Sequence, residues 1–316
     1  MASDSMNHAM QPDDASAPRR WSLARHVYAW GGHTLMLGFL VCAFLWSIHG
    51  GSAAGSVSWR KPILFCIASG LLCYSMAWVA DLLRPSRWER LWAVLFTVGI
   101  NAEVFLIAMQ QFRGVPSHFN RSTVFDTSVL FGIKACILLA TLVILLQTVR
   151  LFVPSQSNRY RSDLPSDSYS AARWGMVLML IACCLGFWIE SLGEHAIGAG
   201  KDPTRYGERG VLKFPHGMPL HAIQFLPIAA WLLGWFGVPR RGRSISVHAI
   251  AWGIVGITIF ALMQTFSGRA RCEVTLWTAP ILATSIAAMM VPLVILVWQG
   301  CWFNHFGNPK RQRGKP

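Results

Sequence analysis

The chain reads as an all-α polytopic membrane protein, a bundle of about eight transmembrane helices, and three observations carry that reading. Hydrophobic residues make up 53% of it and charged residues only 13%, where a soluble domain carries nearer a quarter charged residues. Apolar runs of roughly 20 residues, long enough to cross a hydrocarbon core, recur along almost the whole sequence. The Lys and Arg residues fall in the short connections between those runs. There they act as topology signals, so the formal charge of +14 does not make a nucleic-acid surface. The expected partner is the lipid bilayer, not nucleic acid.

Residues 1–26 begin polar, with Asp13 and Asp14, and are expected to form a disordered cytoplasmic tail. They lack the basic start, apolar core and cleavage site of a signal peptide, so the first span is expected to stay as an anchor. The apolar runs place spans at 27–49, 62–82, 91–112, 126–152, 173–192, 218–238, 247–267 and 278–303. The transmembrane bundle therefore covers 27–303. Residues 304–316, with Lys310, Arg311, Arg313 and Lys315, form a basic cytoplasmic tail. With the N-terminus inside, most of the 28 Lys and Arg residues, among them Arg84, Arg87, Arg90, Arg240, Arg241 and Arg243, fall on the side of the termini. Both termini are thus expected in the cytoplasm of a cell membrane.

Seven of the eight cysteines lie in or at the edges of apolar runs, which argues against a disulfide framework or a CxxC metal motif. A hint of duplication comes from Met109-Gln110-x-Phe112-x-Gly114 at the end of the third span. Met263-Gln264-x-Phe266-x-Gly268 repeats it at the end of the seventh. Two parallel halves of four spans, a 4+4 pseudo-repeat, would put both on the same face.

Polar residues collect near the outer ends of the spans. The third span carries Glu103 and runs into Gln110, Arg113, Ser117, His118 and Asn120. Ionisable groups at membrane depth are costly and mark a pathway, a site or a paired structural role. Glu103 lies eight positions before Gln111, and Lys134 eight positions after Asp126. Both are then roughly 12 Å below the outer boundary on consecutive antiparallel helices. A Glu103–Lys134 ion pair is expected.

A second polar cluster opens the sixth span, from Lys213 to Pro227. His221 and Gln224 are three apart and share a helical face. His216 and His221 converge only if Gly217–Pro219 is irregular. His118, His216 and His221 are the candidate metal ligands, since neutral imidazole suits zinc, copper or haem iron. No HExxH and no carboxylate at metal spacing accompanies them. The connection 193–217 is expected as a solvated loop.

At RGVPSHFN (113–120) and HAIQFLP (221–227), with Lys61-Pro62 opening the second span, the chain resembles an uncharacterised group of bacterial polytopic membrane proteins. The resemblance covers three short patches and implies a bacterial inner-membrane setting and the site's location, with no chemistry attached. The expected function is that of a transporter or permease acting on a small molecule or ion through an outer-face polar site. The alternatives are a membrane-embedded redox, metal or haem enzyme at the outer face, or a non-catalytic sensor or assembly protein. No catalytic residue is assigned.

Overall fold

The computed structural model describes residues 22–153 and 166–306. The polar N-terminal tail, Arg159, Arg161 and most of the basic C-terminal tail lie outside the described residues. The architecture is all-α and polytopic, with eight segments long and apolar enough to cross a membrane. They are α1 (Leu23–His49), α2 (Arg60–Leu82), α3 (Glu89–Phe112), α4 (Val124–Phe152) and α5 (Ser166–Gly198). The sixth segment is broken into α6 (Lys213–Leu220) and α7 (Ala222–Trp235), followed by α8 (Arg240–Phe266) and α9 (Ala279–Phe306).

Each expected span is present, and most helices run past it. Helix α1 begins at Leu23, where Ser22 Oγ accepts from Arg25 N at 3.2 Å, and α5 continues to Gly198. The apolar window marks only what lipid requires. A helix goes on until a cap satisfies its free backbone groups. Helices α3 and α8 both end at glycines with left-handed backbone, Gly114 (φ 69) and Gly268 (φ 67). The next amide in each case bonds back to the buried Gln carbonyl, Val115 N to Gln110 O at 3.1 Å and Arg269 N to Gln264 O at 3.0 Å. The shared Met-Gln-x-Phe-x-Gly sequence is thus a Schellman end. Ala196 to Lys201 and Leu233 to Val238 form the same bond, so this geometry alone is not specific to the repeat.

The packing follows a four-plus-four pattern. Within α1–α4 the first segment packs on the second and third, and the third packs on the fourth. The second half repeats this arrangement, α5 on α6–α7 and on α8, and α8 on α9. Contacts of α4 with α5 and of α2 with α7 join the halves. Within the second half one contact is very close: a Cβ on Gly175 of α5 would lie 2.7 Å from Ile223 Cα of α7. Large apolar side chains such as Phe105, Trp231 and Leu293 face outward, as lipid contact requires.

Eight segments bring the start of α1 and the end of α9 to one end of the bundle, called proximal here; the other end is distal. Several polar groups toward the proximal end pair locally, although Glu89 Oε1 is buried there without a hydrogen-bond partner. Arg25 pairs with Asp81, and Arg243 Nε lies 3.1 Å from Asp167. Tyr74 and His33 are hydrogen-bonded at 2.8 Å, as are Trp174 and His248. The distal end carries the 113–123 loop and a two-stranded antiparallel hairpin, β1 (Arg205–Tyr206) with β2 (Gly210–Val211), where a plain loop was expected.

Candidate functional site

The junction of α3 with α4 is built from a short set of residues. Gln110 is fully buried and donates from Nε2 to Asp126 Oδ1 at 3.0 Å. Arg113 Nη1 donates to the same oxygen at 2.5 Å and also to Gln110 Oε1. Thr123 caps α4 by accepting from Asp126 N at 3.0 Å, and its hydroxyl donates to Asp126 Oδ2 at 2.8 Å. Asp126 therefore receives three side-chain donors at a helix N-terminus, where negative charge is favoured. Gln110 and Arg113 are held in this junction. Gln264 makes the equivalent anchor in the second half, donating to Glu273 O at 2.7 Å.

The loop that follows turns its polar residues inward. Ser117 and Asn120 are buried, and Asn120 Oδ1 accepts from Ser122 N at 3.1 Å. His118 Nδ1 stands 3.1 Å from Lys61 Nζ at the start of α2 and 3.2 Å from Ser117 Oγ. Removal from water, then the nearby Lys61 and Lys213 cations, hold the His118 imidazole well below the usual histidine range, at about 3. A neutral ring that accepts from an ammonium at Nδ1 carries its proton on Nε2. Phe119 takes left-handed backbone (φ 59), a costly conformation for an aromatic residue, and its ring packs on Gly193 of α5.

The expected Glu103–Lys134 pair is not formed. Lys134 Nζ lies 2.5 Å from Glu194 Oε1 and 3.4 Å from Glu190 Oε1, both on α5, and Arg121 shares Glu194 at 3.1 Å. The depth arithmetic gave Glu103 and Lys134 similar levels but not their rotation about the helix axes. The i,i+4 pair Glu190 and Glu194 presents two carboxylates on one face of α5, and Lys134 turns there. Glu103 is 4% exposed and makes no ion pair among the described residues. Its Oε2 is buried without a hydrogen-bond partner, and Glu190 and Lys61 are within its electrostatic reach.

A convergence of His216 and His221 depended on an irregular Gly217–Pro219 stretch, and that condition is not met. Helix α6 runs through those residues, and the break falls at His221, which caps α6 and opens α7. Pro215 lies in the first turn, where an amide would have no intrahelical partner, while Pro219 lacks an amide inside the helix, which ends within a turn of it. His216 Nδ1 donates to Ala182 O of α5 at 2.7 Å. His221 instead lines an apolar groove of about 440 Å³ with Met218, Phe225, Ile254 and Met289. Gln224 Oε1 is buried without a partner.

His118, His216 and His221 are therefore engaged separately. Among the described residues no three His, Cys, Asp or Glu side chains form a group able to hold a metal ion. The structure instead brings together Lys61, Glu103, His118, Lys134, Glu190 and Glu194, from four helices and one loop, at the distal end. Lys61 and the two α5 carboxylates were outside the expected set. Their signal was the need of Lys134 and His118 for partners, and the carboxylates' four-residue spacing. No protein-family model, no curated protein and no solved structure matches the chain.

Proposed function

We propose that the chain is a permease-like protein of a bacterial inner membrane, with both termini in the cytoplasm and the distal end outside. The distal charged cluster is the entry site for a small solute, and Glu103 is its floor. The observation that carries this reading is Glu103 itself, a buried carboxylate with one oxygen unpartnered, on a helix whose next buried side chains toward the proximal end, Ile100 and Phe96, are apolar. An oxygen in that position calls for a proton or a cationic partner. A group that exchanges one for the other as a solute arrives is what a coupled permease needs. The four-plus-four packing supports the same reading, because paired helical halves can rock about a central site. The motif resemblance at 113–120 and 221–227 supports the site's location.

The test is transient current from proteoliposomes on a solid support, after concentration jumps of acetate, inorganic phosphate, ammonium and glutamate. At least one solute is expected to give a current that Glu103→Gln abolishes while the variant stays folded. Traces equal to those of empty liposomes for all four, or a current unchanged in Glu103→Gln, would overturn the reading.

A further inference from the structure

A surplus of positive charge stands where helices α2 and α6 begin. Arg60 and Lys61 open α2 and Lys213 opens α6, and neither first turn contains an acidic residue. Neither N-cap, Trp59 or Leu212, supplies a side-chain acceptor. Helix N-termini carry partial positive charge, so basic residues there are placed against the dipole. The three cations are also within electrostatic reach of one another, Lys61 of Lys213 and Lys213 of Arg60.

Neighbouring carboxylates do not relieve this. Asp126 pairs with Arg113, Glu190 and Glu194 with Lys134, Asp202 with Arg205, and Glu273 with Arg209. Among the described residues no carboxylate forms an ion pair with Arg60, Lys61 or Lys213. Glu103 lies within electrostatic reach of Lys61 but does not bond to it. One Lys61 donor is used by His118 Nδ1, which leaves two. Ser117 adds a hydroxyl beside them.

We propose that Arg60, Lys61 and Lys213, with Ser117 and His118, form a binding site for a single oxyanion, a carboxylate or phosphate group. The anion supplies the countercharge that the protein lacks, and the two helix N-termini add to its binding. Lys61 contributes the buried contact, while Arg60 and Lys213 close over the exposed side. The proposal rests on the permease reading only in naming this anion as the solute. The binding site itself stands without it. The chemistry is common to a free anion and to an anionic lipid headgroup, and the experiment separates them.

Purified full-length protein in neutral detergent is titrated calorimetrically with inorganic phosphate and with acetate, at ionic strength matched with chloride. In parallel, the protein in nanodiscs of phosphatidylcholine or phosphatidylglycerol is compared by thermal unfolding. Saturable binding of one phosphate or acetate is expected, weakened at least tenfold in Lys61→Met and in Lys213→Met. It should be largely kept in Lys61→Arg and unchanged in Arg240→Gln at the proximal end. Lys213 is exposed and without a hydrogen bond or ion pair among the described residues, so Lys213→Met keeps the test valid if Lys61→Met fails to fold. Stabilisation by phosphatidylglycerol alone, with the same lysine dependence, assigns the site to a lipid headgroup. Absence of binding in every arm, or binding unchanged in Lys213→Met, overturns the proposal. Anion binding without any transport current would refute the permease reading and leave the site standing.

Discussion

Replacement of Lys134 by Met separates the partners of this lysine by their neighbours rather than by distance. Lys134 is closer to Glu194 (2.5 Å) than to Glu190 (3.4 Å). Yet Glu194 keeps Arg121 at 3.1 Å when Lys134 is lost, whereas Glu190 has no second cation among the described residues and lies within electrostatic reach of the buried Glu103. At 3.4 Å and an effective dielectric of about 20, the gross Lys134–Glu190 attraction is about 5 kcal/mol. Desolvation and side-chain ordering offset most of it. The side chains are 27% and 20% exposed, between the surface and buried limits, so Lys134→Met should cost about 1–3 kcal/mol. Methionine preserves the length and apolar packing of the lysine stem. Adding Glu190→Gln should then recover about 1 kcal/mol, and adding Glu194→Gln clearly less. Chemical or thermal unfolding of the four proteins in detergent measures this. Additive costs, or better rescue by Glu194→Gln, would refute the account of how this charge group is balanced.

Two further outcomes are expected. Because the His118 pKa is held at about 3, below its ordinary 6.5, the unfolded chain takes up a proton that the folded chain refuses. Its contribution is present above about 6.5 and is lost as pH falls below it, by at most about 1.4 kcal/mol per pH unit. Unfolding temperatures measured between pH 7.5 and 5 should drop less in His118→Gln than in the native protein, and equal slopes would refute this. In Gly193→Ala the new methyl would sit 2.6 Å from Phe119 Cζ and 3.0 Å from Pro203 O, displacing the 117–120 loop at a cost of about 1–3 kcal/mol. Faster hydrogen exchange at 117–120 checks it, and an unchanged exchange pattern would sink it.

The eight segments were legible because membrane-length apolar runs leave few alternatives, and their order fixes which ends share a face. The matched Met-Gln-x-Phe-x-Gly pair was legible as a hint of duplication, but the anchoring of helix junctions by Gln110 and Gln264 was not. Helix rotation was not. A depth estimate uses rise per residue alone, so it placed Glu103 and Lys134 level but left their facing open. The direction of Lys134 depends on α5, whose Glu190 and Glu194 lie over 50 residues further along. The break in the sixth segment was legible as a region, from its Gly and Pro content, but not to the residue. Gly217 is tolerated inside α6, and the break comes two residues after Pro219, at His221.

The same charge accounting separates structural polar groups from candidate functional ones. Asp81 is half-buried and Asp167 buried, and each meets its own cation, Arg25 and Arg243. By residue type they are as conspicuous as Glu103, yet they need nothing beyond the chain. Asp126 is buried as deeply and is met by Gln110, Thr123 and Arg113. In the distal cluster an imbalance remains among the described residues. Glu103, like Glu89 at the proximal end, has a buried oxygen without a hydrogen-bond partner, and Arg60, Lys61 and Lys213 have no carboxylate at pairing distance. Direct pairing of Glu103 with Lys61 would settle part of it, but the Lys61 ammonium is turned to His118 instead. A fold that only needed to hold its helices in register would gain by closing that pair, and leaving it open keeps a proton site and an anion site side by side.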